Sequence, residues 1–174
     1  MKRYAIIAAA GILAAACGSN PSSPSNTLPT TINFTAALNA ANEVPPITNA
    51  DAGATGTARV TFNLTRDAAG AITAANANFA FDLSGFPAGT SIILSHIHEG
   101  GPSVPGGVKV NSGLSPANPI VLANGTVTNQ TFTNIPITDL TLAQQIIDNP
   151  NGYYFNVHSA LNGGGAVRGQ LVKQ

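Results

Sequence analysis

The stretch Arg59-Val60-Thr61-Phe62-Asn63-Leu64-Thr65 changes from polar to apolar at every step. Side chains two apart on a strand share a face. Val60, Phe62 and Leu64 therefore predict a half-buried strand whose other face is polar. The same period appears upstream in Ile32, Phe34, Ala36 and Leu38, and downstream in Ile72 to Leu83, which ends in Phe79, Phe81 and Leu83. Arg66 to Gly70 reads as the turn between the last two strands. Glu43-Val44-Pro45-Pro46 breaks the first, because proline has no N–H to give to a ladder.

Further strands are expected over Ser91 to His98, Val108 to Val110, Pro119 to Ala123, Thr126 to Phe132, Tyr153 to His158 and Ala166 to Val172. Asn124-Gly125 carries the signature of a two-residue hairpin turn. Thr141 and Gln144 stand at capping-box spacing and predict one short helix, stopped by Asp148-Asn149-Pro150. Short strands at close spacing between turn residues define an all-β chain. The expected fold is a Greek-key-like antiparallel β-sandwich of eight or nine strands, without internal repeats.

The N-terminus reads differently. Met1-Lys2-Arg3 is a charged start, and Tyr4 to Ala16 is an apolar run too short to span a bilayer. Ala14, Ala15 and Ala16 lead into Cys17, the one cysteine of the chain. The pattern resembles a bacterial lipoprotein signal (residues 1–16), whose cysteine is lipidated and becomes the mature N-terminus. It departs from that pattern in having Ala14 three places before the cysteine and Leu13 one earlier. A plain secretory signal or a buried helix is the alternative. Residues 17–30, rich in Ser and Pro, read as a flexible tether, and residues 31–174 as the folded domain. Gly18 is not the aspartate that retains some lipoproteins at an inner membrane. The expected place is the bacterial cell envelope, at the outer membrane where there is one. The membrane would be reached through the N-terminal lipid.

Removal of Lys2 and Arg3 with the signal leaves five cations against seven acids. With no basic cluster to neutralise phosphates, the composition argues against nucleic-acid binding. Acylation of Cys17 would leave no thiol for a disulfide, a metal or nucleophilic catalysis. Neither a Gly-x-Ser-x-Gly elbow nor a phosphate loop is present, and no closely spaced pair of carboxylates suggests acid–base hydrolysis.

The three histidines carry the most chemistry. His96 and His98 flank Ile97 and project from one strand face, while His158 shares a face with Asn156 on a later strand. If those strands are neighbours, three imidazoles converge as ligands for zinc or copper, with Glu99 as a fourth ligand or supporting partner. The other reading is a structural polar cluster at one end of the sandwich. There the rings would be hydrogen-bonded to backbone, Asn156, Arg168 or Gln170. Antiparallel pairing across the Ser159 to Gly165 loop would bring Arg168 and Gln170 beside Asn156. Arg168, set among glycines, is expected to satisfy backbone carbonyls.

Three ordered stretches resemble the CHRD (chordin-type) domain family: Leu38 to Pro46 (LNAANEVPP), Ser95 to His98 with Gly106-Gly107-Val108, and Tyr153 to Ser159 with Gly164 to Leu171. Glu99 and Ala166 depart from the small residue and the acid common at those places. The resemblance implies a secreted β-rich domain and no known reaction. A weaker likeness links Leu83 to Gly89 and His96 to Glu99 with the strand entering the copper site of copper–zinc superoxide dismutases. That dinuclear site needs six histidines and an aspartate, so three histidines exclude it. A mononuclear remnant, or shared ancestry with lost chemistry, stays open.

Two functions are thus expected. The first is a non-enzymatic, lipid-anchored binding or adhesion module for an extracellular or periplasmic ligand, with Tyr153 or Tyr154 at its surface. The second is a mononuclear zinc- or copper-binding or redox protein using the histidines.

Overall fold

The computed structural model describes residues 28–174. Cys17, the expected signal and residues 17–27 of the expected tether lie outside the described residues. Residues 28–30 run along the domain: Thr30 accepts from the Leu64 amide at 2.7 Å, and Pro29 accepts from Arg66 Nε at 3.1 Å.

The described residues are all-β with one short α-helix. The strands are β1 (Thr31–Asn39), β2 (Thr55–Arg66), β3 (Ile72–Ser84), β4 (Thr90–Glu99), β5 (Val108–Asn111), β6 (Ile120–Leu122) and β7 (Val127–Pro136). The helix α1 (Leu140–Asp148) precedes β8 (Tyr153–Ser159), β9 (Val167–Gln170) and β10 (Val172–Lys173). The described residues hold ten strands because the last expected one divides at Leu171. That residue is buried and donates to Tyr153, after which the chain turns to pair with β1.

All pairings are antiparallel, in the order β5-β4-β8-β9-β1-β2-β3-β7, with β6 beside β4 and β10 beside β1. The sheet folds on itself as a nearly closed sandwich. Phe155 of β8 meets Phe79 and Phe81 of β3 across the core, each pair of ring centroids 5.9 Å apart. Phe34 and Phe62 pack edge to face at 5.1 Å. Burying a side chain of this size contributes about 1.5–3 kcal/mol. The alternation of β1 to β3 thus supplies one wall of the core, and Ile92, Ile97, Phe155, Val157 and Val167 the other.

Two local expectations are corrected. Asn124-Gly125 is not a hairpin turn, since β6 pairs with β4 and β7 with β3. It carries the chain from one wall to the other, and Gly125 O accepts from the Phe86 amide. Helix α1 begins earlier than the capping-box spacing suggested. Asp139 is its N-cap, accepting from Leu142 N at 3.0 Å, and an aspartate there is also favoured by the helix dipole.

Strand β4 contains the irregularity that sets the site. Opposite β8, Ile92 pairs with Ser159 and Leu94 with His158, so Ile93 is an extra residue. A bulge of this kind shifts the alternation by one. Ile92 and Ile97 can both enter the core, although five positions apart, while His96 and His98 face the opposite way.

Candidate metal centre

Strands β4, β8 and β9 carry a polar face opposite the core. His96 is the cross-strand partner of Asn156, His98 of Tyr154 and Leu94 of His158. On the other side of β8, Asn156 pairs with Arg168 and Tyr154 with Gln170. Every residue of β8 is buried. The loop after β4 (100–107), the loop after β8 (160–166) and the turn after β1 (40–47) close over this face, as their bonds to it show.

The loop after β4 returns through Gly106, whose carbonyl accepts from His98 Nδ1 at 2.9 Å and whose amide donates to Tyr154 Oη at 3.2 Å. A Cβ at Gly106 would lie 1.6 Å from Glu99 O, so only glycine permits this return. His158 Nδ1 donates to Gly163 O at 2.9 Å. That loop is tied down by buried Asp51, which accepts from Ser159 Oγ and from Asn162 Nδ2 at 2.7 Å.

The three histidines, all buried, each offer a ring nitrogen, and these atoms lie within 4.8 Å of one another. His96 Nδ1 donates to His158 Nε2 at 3.1 Å. The cluster lies on the outer face of the β4–β8 pair, opposite the core. A carbonyl can only accept, so His98 and His158 carry their protons on Nδ1, and in neutral rings both Nε2 atoms are acceptors, that of His158 taken up by the His96 N–H. Burial pushes all three rings below the usual imidazole range. His96 falls to about 4, with His158 and His98 adding to the burial effect. At neutral pH the cluster is therefore three uncharged donors. His98 Nε2 is buried without a hydrogen-bond partner.

Glu99 is not among these donors. As the neighbour of His98 it points to the opposite side, stays exposed and pairs with Lys109 at 2.7 Å. Arg168 is 1% exposed. It donates through Nη2 to Gly101 O at 2.9 Å and Val104 O at 3.4 Å, and to Gln170 Oε1 at 3.3 Å. Its guanidinium lies 3.5 Å from the Tyr154 ring centroid, and the ring of Tyr154 stacks on His98 at 4.9 Å. Gln170 Nε2 donates to Gly100 O, Asn151 O and Tyr153 O. Neither tyrosine lies at the surface: Tyr153 packs in the core and Tyr154 under Arg168.

Glu43 is the site residue that the strand pattern did not reveal. It is buried beside Asn156, whose Nδ2 donates to Oε1 at 2.8 Å. Burial raises its carboxyl to about 7, against the lowering influence of Arg168 and Asn156. Gly165, at φ 137°, leaves room for it: a Cβ there would stand 2.8 Å from both carboxylate oxygens. Glu43 also lines a cleft of about 280 Å³ with Pro45, Pro46 and Asn162. The available signal was an acid preceding Pro-Pro in a chain with only seven acids.

Fold and face together define a small antiparallel β-domain with three histidines and a buried Glu–Asn–Arg group under its loops. The family model of the CHRD domain matches residues 34–171, and the chain belongs to the CHRD domain family. No match was found among curated proteins or among solved structures.

Proposed function

We propose that this protein is a lipid-anchored CHRD domain of the bacterial envelope that holds one zinc or copper ion on His96, His98 and His158. The observation that carries the reading is the orphaned Nε2 of His98, in a group of three neutral imidazoles whose ring nitrogens lie within 4.8 Å of one another. A buried acceptor without a donor costs about 1–3 kcal/mol, and a cation would remove that cost. The support behind the rings fits the same purpose. Metal-binding histidines commonly donate their second nitrogen to a carbonyl, which fixes tautomer and orientation. Gly106 and Gly163 provide those carbonyls. His96 would coordinate through Nδ1, moving its proton to Nε2.

Three nitrogens without thiolate or carboxylate suit zinc and copper, and do not suit calcium or magnesium, which take oxygen ligands. Titration of the full chain with zinc and with copper is the test. One equivalent should bind, and His158→Asn should abolish tight binding while circular dichroism is retained. No stoichiometric binding of either ion would leave the rings a structural cluster.

Binding or adhesion through an envelope ligand is the second reading. Val44, Val104 and Leu161 favour it, as exposed apolar side chains on the three covering loops.

A further inference from the structure

Among the described residues, two buried side-chain polar atoms lack a hydrogen-bond partner, His98 Nε2 and Asn156 Oδ1. Both belong to the same face. Asn156 is the cross-strand partner of His96 and stands two residues from His158 on one side of β8. Its Nδ2 is committed to Glu43 Oε1. Nitrogen and oxygen lie on opposite sides of a planar amide, so Oδ1 is directed away from Glu43. A metal ion satisfies the histidine nitrogen. The amide oxygen needs a proton donor.

The ligand count leads to the same place. Structural zinc sites are closed by four protein ligands, whereas three protein ligands leave one position for solvent. The grouped side chains here number three, all histidine, and Glu99 is turned away to Lys109. Three neutral rings do not reduce the charge of a divalent ion. Arg168 adds a positive charge nearby, and the buried acid of the face, Glu43, stands beyond Asn156. An anionic or readily deprotonated fourth ligand is the one this charge pattern favours.

We propose that the fourth ligand of the ion is a water or hydroxide whose proton is donated to Asn156 Oδ1, so that the centre is open and exchanges solvent for small anions. This rests on the three-histidine reading above. Asn156 is then a positioning residue with a definite selectivity. It supports a ligand that carries a proton and disfavours one that carries none, such as azide.

The test uses the full chain loaded with cobalt(II), whose visible bands report coordination, and azide as the anion. Azide should shift those bands in a saturable way. Asn156→Ala should keep cobalt but bind azide more tightly, by up to about tenfold, the equivalent of one hydrogen bond to the competing solvent. Pulsed electron paramagnetic resonance of the copper(II)-loaded wild-type chain in deuterated water gives a readout free of any substitution. It should show the strong deuterium coupling of a water or hydroxide bound directly to copper, over and above the weak coupling of the remote imidazole N–D groups, and that result stands if the variant does not fold. Bound ion with neither an azide response nor such deuterium means a closed site and overturns the proposal, while the three-histidine reading survives. Weaker azide binding in Asn156→Ala would overturn the role of Asn156. Failure of both cobalt and copper to bind overturns both readings.

Discussion

Strands β2 and β8 belong to one sheet but bury themselves differently. In β2 the core face is apolar, and the outer face carries Thr57, Arg59, Thr61 and Asn63 toward solvent. Its ion pair, Arg59 to Asp82 at 3.0 Å, is partly exposed on both sides. In β8 all seven positions are buried, with Phe155 and Val157 on one face and Tyr154, Asn156 and His158 on the other. A polar group on the outer face of β2 is solvated at little cost. On β8 each must find a partner or cost stability. The loops that provide those partners, and the two atoms left without one, distinguish a site from a surface.

The largest expected effect lies on the core face of β8, where Phe155 joins the two walls. Phe155→Ala should lower unfolding free energy by about 3–5 kcal/mol, measured by urea denaturation. Thr61→Ala on the outer face of β2 should stay within about 0.5 kcal/mol. Equal effects would remove the contrast between the strands.

Arg168 and Arg59 differ in the same way. Arg168→Ala strands the Gly101 carbonyl and uncovers Tyr154, and should cost about 1–3 kcal/mol. Arg59→Ala breaks an exposed pair and should cost about 0–1 kcal/mol. If Arg59→Ala were the more damaging, the covered face would not be a buried polar network.

Glu43 gives the contrast a pH dependence. Its folded carboxyl titrates near 7, above the ordinary 4.5. Proton binding thus favours the folded state, and that contribution is complete below 4.5 and lost as pH rises through about 7. Glu43→Gln retains an acceptor for Asn156 but cannot ionise. Relative to wild type it should gain stability between pH 5 and pH 8 in thermal melts. A difference between the two that does not change with pH would mean that Glu43 is not buried as described.

Much of this was legible in the sequence because alternation marks one core-facing side. It marked β1, β2 and β3, and it placed His96 and His98 on one face. It gave no sign that β8 is covered on both sides, since loop coverage depends on contacts remote in sequence. The extra residue at Ile93 was hidden because Ser91 to His98 contains apolar residues in both phases. Asn124-Gly125 misled because a turn signature reports local backbone and not which strands then pair. Glu43 appeared as a strand break, and its role depends on Asn156 and Gly165, more than a hundred positions away.

The smallest expected effect concerns the anchor. Cys17→Ser should release the chain from membrane fractions into the soluble fraction with the circular dichroism and melting of the domain unchanged. Persistent membrane association of that variant would contradict lipid anchoring through Cys17.

X-ray absorption at the zinc edge of the full chain loaded with one equivalent of zinc counts the imidazoles on the ion. Three imidazole nitrogens are expected at about 2.0–2.1 Å, with loss of one in His98→Gln. Fewer than three imidazoles in the wild-type spectrum, or a spectrum unchanged in His98→Gln, would contradict the three-histidine site.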